Sequence, residues 1–251
     1  MKKQTWYWIA GIAAVLLLLI IWAFAANRKP DSAQPSQPAT QGSQETIPAS
    51  ESAGMDHAGH NMSADENLAG YLDEQDTIMA DMMNNMKNIP LSKNASLDFL
   101  HGMIPHHDSA VEMARSYLKY GPTNEDLIKL ANDIIDQQTG EIEQMRSMIE
   151  ELEAAKLENE DNEAAYLKEY NEMFDDENGH GGHMMEAHSA KTVDEAFAQG
   201  MIMHHDMALE MAEDILPYTE DEKVKELAKN IIDLQEKEIK QMQDILDTIQ
   251  K

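Results

Sequence analysis

One segment of this chain is written twice. FLHGMIPHHDSAVEMA, Phe99 to Ala114, returns as FAQGMIMHHDMALEMA, Phe197 to Ala212, with 11 of 16 positions identical. Downstream, LANDIIDQQTGEIEQM, Leu130 to Met145, returns as LAKNIIDLQEKEIKQM, Leu227 to Met242, with 10 of 16 identical. Self-similarity at a fixed offset marks a unit that is stacked on its own copy. Each unit reads as a helix, a short turn and a second helix. Leu100, Met103, Ile104, His107, Ala110, Val111, Ala114, Tyr117 and Leu118 fall on one stripe at helical period, with His106 and His204 placed at its edge. Leu127, Ala131, Ile134, Gln138, Ile142, Met145, Ile149 and Leu152 do the same on the partner helix. The turns carry stop and capping residues, Gly121-Pro122-Thr123-Asn124 and Pro217-Tyr218-Thr219, and Thr192 with Glu195 forms a capping box. Neither hairpin can bury an apolar face alone, so the pair is expected to form an all-α, antiparallel four-helix bundle.

The flanks divide the remainder. Residues 1–26 contain an uncharged run from Thr5 to Ala26, about 33 Å long as a helix, enough for a hydrocarbon core of roughly 30 Å. It reads as a transmembrane anchor; a cleaved signal peptide is the rival, since Ala23-Phe24-Ala25 offers a small-x-small site. Everything after it is expected outside the cytoplasm, facing the periplasm or cell exterior. Residues 27–66 are a tether rich in Ser, Gln, Pro, Ala and Gly, too poor in apolar side chains to offset the entropy of ordering. Residues 67–152 hold the first hairpin and 192–251 the second. The connector between them, 153–191, begins charged and helix-favouring, as an extension of the helix before it, and ends in a Gly/His/Met loop.

Two compositional facts narrow the chemistry. A net charge of −28 excludes phosphate-backbone recognition and therefore a nucleic-acid partner. The absence of cysteine removes thiolate sites and disulfides, so any soft-metal chemistry must use the 19 methionines and 10 histidines. Met103 with His107, and Met201 with His205, stand at i and i+4 and project from one helix face. His106 and His204 lie within a turn of the same methionines, Met207 and Met211 continue the row, and Met113 matches Met211. Thioether sulfur favours Cu(I) or Ag(I), and imidazole accepts copper in either state, so the mixture points to copper before zinc. Methionine at helical spacing also serves as adaptable core filling. The repeated Met-x-x-His-His, with imidazoles inside an apolar stripe, favours ligands, because an unpartnered buried imidazole is costly.

Gln138 and Gln235 are the polar interruptions of the partner helices, and Glu141 and Glu238 follow one turn later. They either orient the imidazoles or form a hydrogen-bond network that sets bundle register. Asp108 and Asp206 fall toward the polar side, solvated or paired with Arg115. Accessory metal residues are His101 and two short tracts: Met55, His57, His60 and Met62 in the tether, and His180, His183, Met184, Met185 and His188 in the connector.

HGMIPHHDSAVEMA, GMIMHHDMALEMA and the trailing Asp-x-Gln-x-x-Glu-Ile-x-x-Met of each unit resemble the His-His signature of domain-of-unknown-function family 305. The resemblance covers roughly residues 75–150 and 185–251. It implies a ferritin-like four-helix bundle and, by analogy with periplasmic copper-binding members, metal roles for Met103, His106, His107, Met113, Met201, His204, His205 and Met211. Met203 in place of Pro105, and Gln199 in place of His101, set the two units apart. The function this implies is sequestration or handover of Cu(I), with resistance to the metal and a copper transporter or chaperone as partner, without catalytic turnover. Two alternatives stand beside it: a ferritin-like redox enzyme, which lacks the matching Glu-x-x-His pairs that di-iron bundles use, and a structural helical module.

Overall fold

The structure, a computed structural model, describes residues 63–174 and 189–250. The expected anchor at 1–26, residues 27–62 of the expected tether and residues 175–188 of the connector lie outside the described residues. Among the described residues every regular element is a helix: α1 (Ala64–Lys87), α2 (Ala95–Lys119), α3 (Glu125–Ala155), α4 (Glu160–Glu172), α5 (Val193–Ile215) and α6 (Glu222–Ile249). The fold is all-α, and none of these helices is long and apolar enough to cross a membrane.

The repeated units are the hairpins α2–α3 and α5–α6, which pack side by side through α2 and α5 and close through α3 and α6. Helices α2 and α5 run antiparallel: Ser96 at the start of α2 meets Thr219 just beyond α5, and Tyr117 late in α2 stacks on Phe197 early in α5, ring centroids 4.1 Å apart. The two repeats therefore cross at their midpoints, where the His-His pairs lie. Both ends of this crossing are tied. Ser96 Oγ and Thr219 Oγ1 stand 2.6 Å apart; at the other end, buried Asp194 accepts from Tyr117 Oη at 2.6 Å, Thr123 Oγ1 at 2.5 Å and Thr123 N at 3.1 Å.

Two helices add to the four that the repeat predicts. α1 lays Tyr71, Ile78, Met79, Met82 and Met86 onto α2 and α5. Its start is set by a full capping box of Ser63 and Glu66. It has no counterpart in the second unit, so comparison of the repeats gives no sign of it. The connector does not extend α3 as expected. Lys156 takes a left-handed conformation at the end of α3 (φ 52°), Asn159 caps a new helix, and α4 turns back against α2 and α5 with Tyr166, Tyr170 and Met173 buried.

Two caps differ from the sequence expectation. Thr192 Oγ1 accepts from Glu195 N at 3.1 Å, but the Glu195 carboxylate accepts from Lys191 N instead of closing the box on Thr192. Asp221, not Thr219, caps α6; Thr219 is spent on the Ser96 contact and on accepting from Asp221 N.

Candidate metal centre

Four imidazoles meet where α2 and α5 cross. His106, His107, His204 and His205 are all completely buried, so the edge position expected for His106 and His204 is wrong. A stripe drawn for one partner helix is too narrow for α2 and α5, each of which is covered on several sides. The rings of His106 and His204 lie 3.9 Å apart across the crossing, and each is 6.1 Å from the ring of its neighbour in sequence.

Every Nε2 has a partner, and the partners fix where the hydrogen sits. His106 Nε2 is 3.1 Å from the carbonyl oxygen of His204, which can only accept. His107 Nε2 is 2.8 Å from Glu141 Oε2, and His205 Nε2 is 2.7 Å from Glu238 Oε2. Ser109 Oγ donates to the His106 carbonyl at 2.6 Å, so its lone pair receives His204 Nε2–H at 2.7 Å. In His106 and His204 the hydrogen is thereby placed on Nε2 and the lone pair on Nδ1, while His107 and His205 donate from Nε2 to their carboxylates. All four Nδ1 atoms are buried without a hydrogen-bond partner.

Such an arrangement suits a cation better than a proton. Burial, followed by the mutual repulsion of neighbouring imidazolium charges, pulls His106 and His204 well below the ordinary histidine range. Both are neutral at neutral pH and present bare nitrogen donors. Each Glu–His pair is the carboxylate–imidazole arrangement that orients metal-binding histidines and raises their basicity. The glutamates thus take the orienting role. Gln138 and Gln235 are buried with both amide atoms unpartnered, so they do not form the register-setting network.

The methionines expected as ligands fall in the buried core. Met103, Met201 and Met211 are fully buried and Met113 and Met207 nearly so. Among the described residues no three His, Asp or Glu side chains converge on one point that could hold an ion. His101 is half-buried on α2, one turn from the pair. Met55, His57, His60, Met62, His180, His183, Met184, Met185 and His188 lie outside the described residues. Asp108 is exposed and faces Arg146 of α3 at 4.0 Å, not Arg115. What sequence reasoning missed is Ser109. Its place in the second unit is taken by Met207, so the repeat carries no matching signal for it, and its bridging role depends on the α2–α5 crossing.

The chain resembles several known proteins. A solved structure of CopM in the Cu(I)-bound form is 27% identical, with 61% of this chain and 96% of that chain covered and a TM-score of 0.45. CopM in the Cu(II)-bound form is 29% identical with the same coverage and a TM-score of 0.46. A DUF305 protein from Streptomyces coelicolor is 23% identical over 62% of this chain and 94% of that one, with a TM-score of 0.48. Uncharacterized protein L153 of Acanthamoeba polyphaga mimivirus is 44% identical over 54 residues, 22% of this chain; the match covers about a third of that relative, 36% of its length. The model of the domain of unknown function DUF305 matches residues 30–149 and again 97–246, together most of the chain. Its duplicated His-His signature, folded into one imidazole cluster, is that of a protein belonging to the DUF305 family.

Proposed function

We propose that this protein binds copper as Cu(I), and Ag(I) by the same chemistry, at a centre built jointly by the two repeats, and holds or hands over the ion outside the cytoplasm. One observation carries the reading: four buried imidazoles have every Nε2 committed to an acceptor and every Nδ1 left bare, within a methionine-rich core. Leaving four such nitrogens unpaired is costly in a merely structural core. A soft monovalent ion offsets that cost through nitrogen and thioether bonds. Met103, His106, His107 and Met113 supply one half, and Met201, His204, His205, Met207 and Met211 the other. Because the rings of His106 and His204 lie 3.9 Å apart across the crossing, the halves are coupled, and filling one alters the other.

The segment 5–26 is proposed to hold the domain at the membrane, with the Met/His tracts at 55–62 and 180–188 and His101 as capture sites that deliver ions to the bundle. A copper transporter or chaperone would receive them. The test is a Cu(I) titration of the full chain against a calibrated chelator, beside a variant with His106, His107, His204 and His205 changed to alanine. A loss of about 100-fold or more in affinity with helicity retained is expected for removal of direct ligands. Binding that survives in the variant would assign the histidines to packing and leave the flanking tracts as the ligands.

A further inference from the structure

Ser109 stands between the two histidine pairs and belongs to neither. It is buried on α2, three residues after His106, and its Oγ touches two groups: the His106 carbonyl at 2.6 Å and His204 Nε2 at 2.7 Å. In the other direction the link has no relay, since His106 Nε2 reaches the His204 carbonyl directly at 3.1 Å. Each imidazole is thus tied to the backbone of the opposite helix, one directly and one through a hydroxyl. Met207 occupies the matching place of α5 and has no hydroxyl to form a second relay.

This sets His204 apart from the other three. His106 faces a carbonyl oxygen, and His107 and His205 face carboxylate oxygens of Glu141 and Glu238, groups that accept and have no hydrogen to return. His204 faces a hydroxyl, which can give or receive. If Ser109 turned its hydrogen to Nε2, His204 would carry its own hydrogen on Nδ1. The bare oxygens of Ser109 and the His106 carbonyl would then confront each other at 2.6 Å in a dry core. Two oxygen lone pairs repel at that distance, whereas with a hydrogen between them they form a short hydrogen bond. The only hydrogen on the serine oxygen is therefore held by the carbonyl, and a lone pair is what remains for His204.

We propose that Ser109 is a positioning residue of the metal centre: by giving its one hydrogen to the His106 carbonyl, it compels His204 to donate from Nε2 and to keep Nδ1 open for a soft ion.

The proposal rests on the copper reading of the site. An imidazole binds a metal through the nitrogen that carries no hydrogen, and the hydrogen bond at its other nitrogen decides which one that is. Among the described residues Ser109 is the one hydrogen-bond partner of the His204 ring. Without it, nothing selects the Nε2–H form, while His106 keeps its carbonyl. Because the same hydroxyl is bonded to the α2 backbone at His106, the readiness of the second half depends on the geometry of the first.

The test is long-range 1H–15N NMR of the full chain with 15N-labelled histidine, first without metal at neutral pH and then titrated with Ag(I). The signals of His106 and His204 are assigned by substituting each in turn. In the wild type both rings are expected as the Nε2–H form, with silver moving Nδ1 of both. Ser109→Ala is expected to draw His204, and not His106, away from that form. It is also expected to weaken the silver binding seen at His204 by about 10–100-fold, the usual effect of removing a group that orients a ligand. The substitution costs about 1–2 kcal/mol against the roughly 5–15 kcal/mol that holds a domain folded, so the variant keeps its fold. Finding His204 as Nδ1–H in the metal-free wild type would overturn the proposal before any variant is made. So would a Ser109→Ala protein in which His204 keeps either its tautomer or its silver affinity, or in which His106 changes as much as His204. Silver that binds the wild type without moving any of the four imidazoles would instead sink the copper reading of the site, and the role of Ser109 with it.

Discussion

The two hairpins keep the same inner layer and differ in what surrounds it. His106, His107, Gln138 and Glu141 in α2–α3 are matched by His204, His205, Gln235 and Glu238 in α5–α6, down to histidine–glutamate distances of 2.8 and 2.7 Å. One turn away the match ends. Ser109 bridges the repeats by hydrogen bonds where Met207 fills the core with sulfur and carbon. Pro105 has no N–H to give the His101 carbonyl, whereas Met203 keeps that donor. The end ties are Ser96 with Thr219 on one side and Asp194 with Tyr117 and Thr123 on the other. Gly102 lies beneath the ring of Tyr170, but Gly200 faces only the tip of Met113. Chemistry at the crossing binds both copies to one geometry, while packing partners that exist once, such as α4, let the outer positions diverge.

This comparison can be broken or sharpened by experiment. Acid is expected to have the largest effect, because it acts on both halves together. His106 and His204 are held below their ordinary range, so the unfolded chain takes up protons first. Their contribution is present above about 6.5 and is lost as pH falls below it. Urea unfolding across that range should show stability declining toward acid, and His106→Asn and His204→Asn should each remove a similar share of the slope. Unequal shares would mean that the two halves are not equivalent at their centre.

Next come the positions that diverge. Met207→Ala should cost about 2–5 kcal/mol as a buried cavity, against about 1–2 kcal/mol for Ser109→Ala, which leaves His204 Nε2 without its acceptor. Both are read from denaturant midpoints; equal costs would show that the hydrogen-bond bridge matters as much as the sulfur packing. At the ends, Asp194→Ala should cost about 2–3 kcal/mol by stranding Tyr117 and Thr123, and Ser96→Ala about 1 kcal/mol. The contrast between the two glycines differs in sign. Gly102→Ala should destabilise by about 1–3 kcal/mol, because Tyr170 is pinned by Met86 and cannot withdraw. Gly200→Ala meets only ordinary contact at 3.6 Å and should raise the melting temperature, worth about 0.5–1 kcal/mol through helix propensity. Two substitutions of the same sign would mean that α4 does not press on Gly102 as described.

Much of the site was legible because helical period and repetition act together. A polar residue at a fixed place on an apolar stripe, found twice, marks His107 and His205, with Gln138, Glu141, Gln235 and Glu238 as the groups able to orient them. Burial of His106 and His204 was not legible. It depends on how many helices cover α2 and α5, and neither α1 nor the return of α4 has a repeated signal. The cap at Asp221 was displaced for a similar reason, since Thr219 had been claimed by Ser96 from more than a hundred residues away.

The sequence by itself determined the helical hairpins, their pairing and the donor types available, because spacing along a helix decides which side chains share a face. Only the tertiary structure decided that the two His-His pairs form one cluster, that every Nε2 is occupied and every Nδ1 bare, and that α4 closes over Gly102. Those features arise where helices far apart in sequence cross. Which atom of a side chain remains free is set there by its neighbours, not by its own identity.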